Sequence, residues 1–254
     1  VDNRPSNLTG EMVAKAPPDG YTLLVDSISF WLAPLVQPMP YDPQTDFAPI
    51  SLLIGAPQIL VVSPTLGVNS IEEFIAMAKS KPGALNYASG SSGGSGHLTA
   101  ELFKSMAGVN IVRVPYKGTV LAIPDLIAGQ VHMVFENPAV MMPQIKAGKL
   151  RGLAVTSLKS TALVPGVPPL AATLPGFEMI SAAPIFAPGK TPEAIIRRLN
   201  QEIVRYLSQA EVKDRLLSTG IEAIGSSPEE LAVKIKSDMI RMGKVIKDAG
   251  IRAD

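Results

Sequence analysis

Ser51-Leu52-Leu53-Ile54-Gly55-Ala56-Pro57-Gln58-Ile59-Leu60-Val61-Val62 is a long apolar run with a proline inside it. It has a counterpart in Ile180-Ser181-Ala182-Ala183-Pro184-Ile185-Phe186-Ala187, broken by Pro184. A proline cannot donate to a strand ladder, so it is tolerated at an edge or a crossing and not in a sheet centre. One such strand on each side of the middle third predicts two strands that cross between two lobes. One lobe then spans residues 62–183. The other is built from 1–61 with 184–254. The 254-residue length agrees, since about 150 residues per domain allows one to two domains.

Between the two runs, short apolar strands alternate with amphipathic helices. Ile59 to Val62 ends at Ser63-Pro64. Ser70-Ile71-Glu72-Glu73 then reads as a capping box, with Ser at the cap and Glu three residues on. Strands are expected at 84–88, 111–114, 131–135 and 150–156, and helices at 97–106, 120–128 and 141–147. Strands separated by helices of this kind mean βαβ units and a largely parallel sheet, an α/β fold. Tyr21 to Val25 is a further expected strand. The last third reads as three helices, over 191–207, 211–218 and 227–247, with solvated basic faces.

Composition removes several functions. Apolar residues make 46% and charged residues 18%, enough to bury a core. The 23 Lys and Arg nearly cancel the 22 Asp and Glu, and no basic block stands out, which argues against nucleic acid as a partner. There is no Cys, so disulfides, thiol nucleophiles and Cys–zinc sites are excluded. Only two His occur, His97 and His132, so no His-rich metal site and no cofactor is expected.

The segment richest in chemistry is Ala88-Ser89-Gly90-Ser91-Ser92-Gly93-Gly94-Ser95-Gly96-His97-Leu98. It joins a strand to a helix. Small residues let backbone N–H groups approach a ligand, and a helix N-terminus adds unpaired donors and partial positive charge. An anion site is the expected use; a flexible linker is the plain alternative. No Lys-Ser/Thr follows as in a P-loop, and the glycine spacing is not that of a dinucleotide fingerprint. A serine hydrolase using Ser95 is weighed and set aside, because the base and the acid are missing. His97 is expected to pack or hydrogen-bond rather than catalyse. Tyr116 and the pair Glu136-Asn137 also follow strand ends, where open parallel sheets bind ligands. In the other lobe Ser27 and Ser29 follow a strand end. Trp31, close behind, reads equally as core or pocket wall.

Taken together the motifs resemble one family. Asp2-Asn3-Arg4-Pro5, Pro18-Asp19-Gly20-Tyr21-Thr22-Leu23-Leu24, Pro40-Tyr41-Asp42-Pro43 and Asp46-Phe47-Ala48-Pro49 stand in its order. Leu85-Asn86-Tyr87-Ala88-Ser89, Val114-Pro115-Tyr116-Lys117-Gly118, Gly129-Gln130-Val131 and Ala154-Val155-Thr156-Ser157 continue it. The sequence resembles the substrate-binding proteins of tripartite tricarboxylate transporters, the Bug or TctC type. The resemblance implies a type II periplasmic binding-protein fold: two α/β lobes, two crossing strands and a ligand cleft that closes by hinge motion. It implies a bacterial periplasmic receptor, not an enzyme. The implied partners are a small carboxylate (a dicarboxylate, tricarboxylate, acidic amino acid or aromatic acid) and the membrane permease subunits.

Ligand contacts are expected from Ser27, Ser29, Gly90, Gly94, Ser95, Gly96, His97, Tyr116, Glu136, Asn137 and Ala182. Family members often carry aromatics where Ala182 and Ala183 stand, and Asp in place of Glu136, so the pocket should be roomier near Ala182. They also carry a first strand, a ligand loop and a first helix ahead of the Asp2-Asn3-Arg4-Pro5 motif. The chain is therefore expected to be incomplete on that side of its first lobe. Presentation of the ligand to a sensor protein is the alternative to delivery to a permease, since both need the same site.

Overall fold

The computed structural model describes residues 6–90 and 92–251; the Asp2-Asn3-Arg4-Pro5 motif and Ser91 of the Gly/Ser loop lie outside the described residues. The first part of the chain forms α1 (Ser6–Ala14), β1 (Leu24–Val25), α2 (Ser29–Leu32) and β2 (Phe47–Pro57). The middle forms β3 (Ile59–Val62), α3 (Ile71–Ser80), β4 (Asn86–Ser89), α4 (Ser95–Ala107) and β5 (Val112–Pro115). It continues with α5 (Ile123–Ala128), β6 (Met133–Glu136), α6 (Pro138–Lys146) and β7 (Arg151–Val155). The last third forms β8 (Ile180–Pro188), α7 (Glu193–Leu207), α8 (Ala210–Ser218), β9 (Glu222–Ala223) and α9 (Pro228–Asp248).

The chain divides into two units. One contains the residues up to Gly55 with Ser181–Asp248, and the other Ala56–Ile180 with the residues from Ala249 onward. The apolar run around Pro57 is thus not one strand but two, each in a different sheet. Pro57 ends β2, and β3 restarts at Ile59 between β6 and β7, antiparallel to both. That pairing moves residues 59–61 out of the first lobe, where the sequence boundary at 61/62 had placed them. At the second crossing, the Met179 N–H still donates to the Thr156 carbonyl at 3.0 Å. Ile185 and Phe186 already pair with β1. The two units therefore divide at 180/181 and not at 183/184.

The five-stranded sheet has the order β5-β4-β6-β3-β7. β4 runs parallel to β5 and β6, and β3 is the reversed strand. Its core joins Ile59, Val61, Ala88, Val134 and Val155 of the strands to Leu126 and Met141 of the helices. A file of rings, Phe74–Phe103–Phe135–Phe177, packs with centroids 5.9–6.4 Å apart, the outer pairs stacked and the middle pair edge-on. The other sheet has the order β1-β8-β2-β9. Phe30 packs there against Tyr41, Phe47 and Phe186 at 4.7, 4.8 and 5.2 Å. Trp31 is fully buried and stands edge-on to Phe186, which decides its reading for the core. Such rings supply much of the burial energy of a small unit.

Local sequence explains where elements start. Ser70 Oγ accepts from the Glu73 N–H at 3.2 Å and caps α3 as expected. Ser227 and Glu230 cap α9 reciprocally, at 3.1 and 2.8 Å. Three expected boundaries shift. α6 begins at Pro138 and not at 141, because Asn137 Oδ1 takes the Ala139 N–H at 2.8 Å and proline fits the first helical position. The helix expected over 120–128 is a 3₁₀ turn, Thr119–Ala122, followed by α5, since Pro124 interrupts the ladder. The expected strand 21–25 shrinks to Leu24–Val25, and Tyr21 is left exposed.

Candidate functional site

Ser89 lies beside Pro115, and Ile59 lies opposite both Glu136 and Val155. The carboxyl ends of β4, β5, β6 and β7 and the start of β3 therefore share one edge of the five-stranded sheet. From that edge emerge the Gly/Ser loop, Tyr116, the pair Glu136-Asn137, Thr156 and Gln58. Polar groups collected at such an edge are the usual setting of a ligand site in an open α/β sheet.

The Gly/Ser loop is held from three sides. Arg113, on β5, donates from Nε to Ser89 Oγ and from Nη2 to the Gly90 carbonyl, both at 2.7 Å. The Gly93 N–H donates to His97 Nδ1 at 3.0 Å, so in the neutral ring the proton sits on Nε2. Gly93 has φ +71°, a left-handed conformation that a side chain would strain. Gly94 caps α4 with no side-chain hydrogen bond. The first turn of α4 thus brings backbone N–H groups and the positive end of a 13-residue helix to the edge. Gly96 has a steric reason: a Cβ there would stand 3.1 Å from the Phe135 carbonyl oxygen of β6.

Ser95 Oγ accepts from Gln58 Nε2 at 3.1 Å. Thr99 Oγ1 lies 2.5 Å from Gln58 Oε1 and 2.8 Å from the Ser95 carbonyl oxygen, both as acceptors. An amide is no general base, so Gln58 does not activate this serine as the base of a hydrolase would.

The remaining expected residues are partly committed to the fold. The Tyr116 hydroxyl donates to Asp125 Oδ2 at 2.7 Å. That bond, with burial and the Asp125 charge, raises the phenol's pKa, so it stays a protonated donor. Glu136 Oε1 accepts from the Asn137 N–H at 2.7 Å. Asn137 is the α6 cap described above. Gly90, Gly94, Ser95, Gly96, His97, Tyr116, Glu136 and Asn137 are all in the five-stranded unit. Ser27, Ser29 and Ala182 are in the other unit. Ser27 is exposed, with its N–H on Asp26 Oδ1 at 2.6 Å. Ser29 opens α2 and is exposed, and Ala182 is buried in β8. Among the described residues no group of three His, Asp or Glu could hold a metal ion. No helix among them is long and apolar enough to cross a membrane.

Residues 1–251 match the profile of the tripartite tricarboxylate transporter family receptors. The chain belongs to this receptor family. BugT of Bordetella pertussis is 32% identical over 248 residues, covering 95% of this chain and 76% of BugT. Among solved structures, Rpa4515 of R. palustris with adipate superposes with a TM-score of 0.73 at 35% identity, covering 97% of this chain and 83% of that one. MatC of Rhodopseudomonas palustris with bound malate gives 0.68 at 29% identity, covering 94% and 84%. These neighbours are solute-binding proteins, so the receptor has the periplasmic binding-protein fold and is not an enzyme.

The sequence reading missed Gln58, Thr99, Arg113 and Thr156. Gln58 lies in the decisive stretch, but nothing in that stretch singles it out. Its backbone N–H donates to Thr156 Oγ1 at 2.7 Å, and the Thr156 N–H returns a bond to its carbonyl at 2.9 Å. No local pattern announces a partner 98 residues away. Arg113 carries no local signal; the parallel register sets it beside Tyr87, two pairs before the Ser89–Pro115 pair.

Proposed function

We propose that this receptor captures a small carboxylate, a dicarboxylate above all, at the carboxyl edge of its five-stranded sheet. It works in the periplasm and hands the ligand to the permease subunits of a tripartite tricarboxylate transporter. The observation that carries the reading is the loop 90–97. Arg113 and Gln58 brace it, and it brings a helix N-terminus and small side chains to the edge. This suits an anion that needs several N–H and O–H donors. Adipate and malate in the two R. palustris relatives support the ligand class. Family membership supports the permease as partner and the periplasm as compartment.

The proposed contacts are Gly90, Gly94, Ser95, Gly96 and His97, with Tyr116, Glu136 and Asn137 at the neighbouring strand ends. Glu136, an acceptor, suits a ligand hydroxyl better than a ligand carboxylate. Ser27, Ser29 and Ala182 are proposed contacts in the other unit. A thermal-shift screen with four- to six-carbon dicarboxylates, tricarboxylates, acidic amino acids, aromatic acids and neutral sugars tests the ligand class. A ligand at a hundred times its Kd should stabilise the fold by about 2.7 kcal/mol. Stabilisation by sugars and by no carboxylate would overturn the reading. Co-purification with the permease tests the delivery step.

A further inference from the structure

Thr119 lies outside the contacts proposed above, yet it stands at the start of the Gly/Ser loop. The Tyr116 N–H donates to the Ser89 carbonyl at 2.9 Å, which holds the turn after β5 against the end of β4. The Leu121 N–H closes on the Gly118 carbonyl at 3.0 Å, and Ala122 is buried in the core of the sheet. The 3₁₀ turn Thr119–Ala122 is thereby anchored at both ends. This seat brings Thr119 Oγ1 to 3.7 Å from where a Cβ on Gly90 would stand. Among the described residues, chain neighbours aside, no other atom comes within 4 Å of that point. Gly90 therefore leaves a notch that the Thr119 hydroxyl borders.

Half-buried Thr119 makes no hydrogen bond with any described residue. Its hydroxyl has a proton to give and no protein acceptor that competes for it. A second observation sets the charge of what it would meet. The half-buried Arg113 guanidinium is bonded to the Gly90 carbonyl and to Ser89 Oγ. Among the described residues no carboxylate stands within ion-pair distance of it. A cation without a counter-charge, next to an uncommitted hydroxyl and a missing side chain, favours an anionic group in the notch.

We infer that Thr119 is a ligand contact, whose hydroxyl donates to one carboxylate of the ligand in the notch at Gly90. This rests on the proposed function and adds to it a residue outside the contacts given there. Thr119 supplies the directed bond, and Arg113 supplies the charge and holds Gly90 in place.

The test is calorimetric titration of Thr119→Val, Thr119→Ser and Gly90→Ala with adipate and malate, with the melting midpoint of each variant as folding control. Valine keeps the branched shape and loses the hydroxyl. Affinity in Thr119→Val should fall about tenfold or more, the size of one hydrogen bond to a charged group. Serine keeps the hydroxyl, so Thr119→Ser should retain most of the affinity, a rescue that a packing role would not give. Gly90 has no left-handed backbone and has room for a methyl group. Gly90→Ala should keep its midpoint and still weaken binding, because the methyl group fills the notch.

Wild-type affinity in Thr119→Val overturns the inference and leaves the carboxylate reading standing. So does an equal loss in Thr119→Ser and Thr119→Val, which assigns the effect to packing. Unchanged affinity in Gly90→Ala overturns it too, since the ligand then lies elsewhere on the edge. A wild-type protein that binds neither these two probes nor any other carboxylate overturns both the inference and the proposed function.

Discussion

Arg113 shows how much one side chain does at this site. Its fork satisfies Ser89 Oγ and the Gly90 carbonyl together, and so ties the end of β4 to the start of the loop. A lysine offers one point of attachment where the guanidinium offers a planar pair. Arg113→Lys should therefore recover only part of what Arg113→Met loses. The Met variant leaves one buried and one half-buried acceptor without their partner, a cost of about 1–3 kcal/mol. Faster hydrogen exchange at the amides of residues 90–96 and weaker carboxylate binding are the expected signs. Unchanged exchange in Arg113→Met would show that the loop does not depend on the fork.

At the scale of the element, α4 and its approach loop decide the site. Gly93 and Gly96 serve different needs, and substitution separates them. Gly93 is left-handed with open space where a Cβ would go, so Gly93→Ala costs backbone strain alone, about 1–2 kcal/mol of stability. Gly96 has ordinary backbone but faces the Phe135 carbonyl, so the branched side chain in Gly96→Val must push the first turn of α4 away from β6. Carboxylate affinity should fall more in Gly96→Val than in Gly93→Ala. Calorimetric titration beside denaturant unfolding measures both. The reverse order would mean that the loop, and not the seat of α4 on the sheet, governs binding.

At the scale of the whole molecule, stability should depend on pH at the alkaline end. Burial, with the nearby Asp26 charge second, pushes the Tyr41 phenol up to about 12. Burial first, then the 2.6 Å hydrogen bond to Glu101, raises Tyr87 further still. A raised acid keeps its proton in the folded state at pH values where the unfolded chain has lost it. Stability from these tyrosines is therefore complete below about pH 10, the ordinary phenol value, and lost as pH rises through the folded value. Denaturant midpoints measured upward from pH 9 should fall, and the fall should be shallower in Tyr41→Phe. At the acid end His132 behaves oppositely. Burial lowers its pKa, and its Nδ1 accepts the Asn86 N–H at 3.1 Å. Its contribution is present above about 6.5 and is lost as pH falls through the folded value.

By itself the sequence determined the α/β class and the two crossings at proline-broken runs. It also determined the capping of α3 and the strand–loop–helix setting of the Gly/Ser segment. Each of these rests on local physics: proline's missing N–H, a hydroxyl three residues from a free amide, small residues before a helix. The motif resemblance reached further, to the receptor family, because it drew on the whole chain at once. Only the tertiary structure decided that β3 belongs with β6 and β7, and that Arg113 holds Ser89 and Gly90. It alone showed that Gln58 meets Thr156, Ser95 and Thr99. Those contacts join residues 23 to 98 positions apart through strand register. Register is set by the packing of the whole sheet, which no window of neighbouring residues contains.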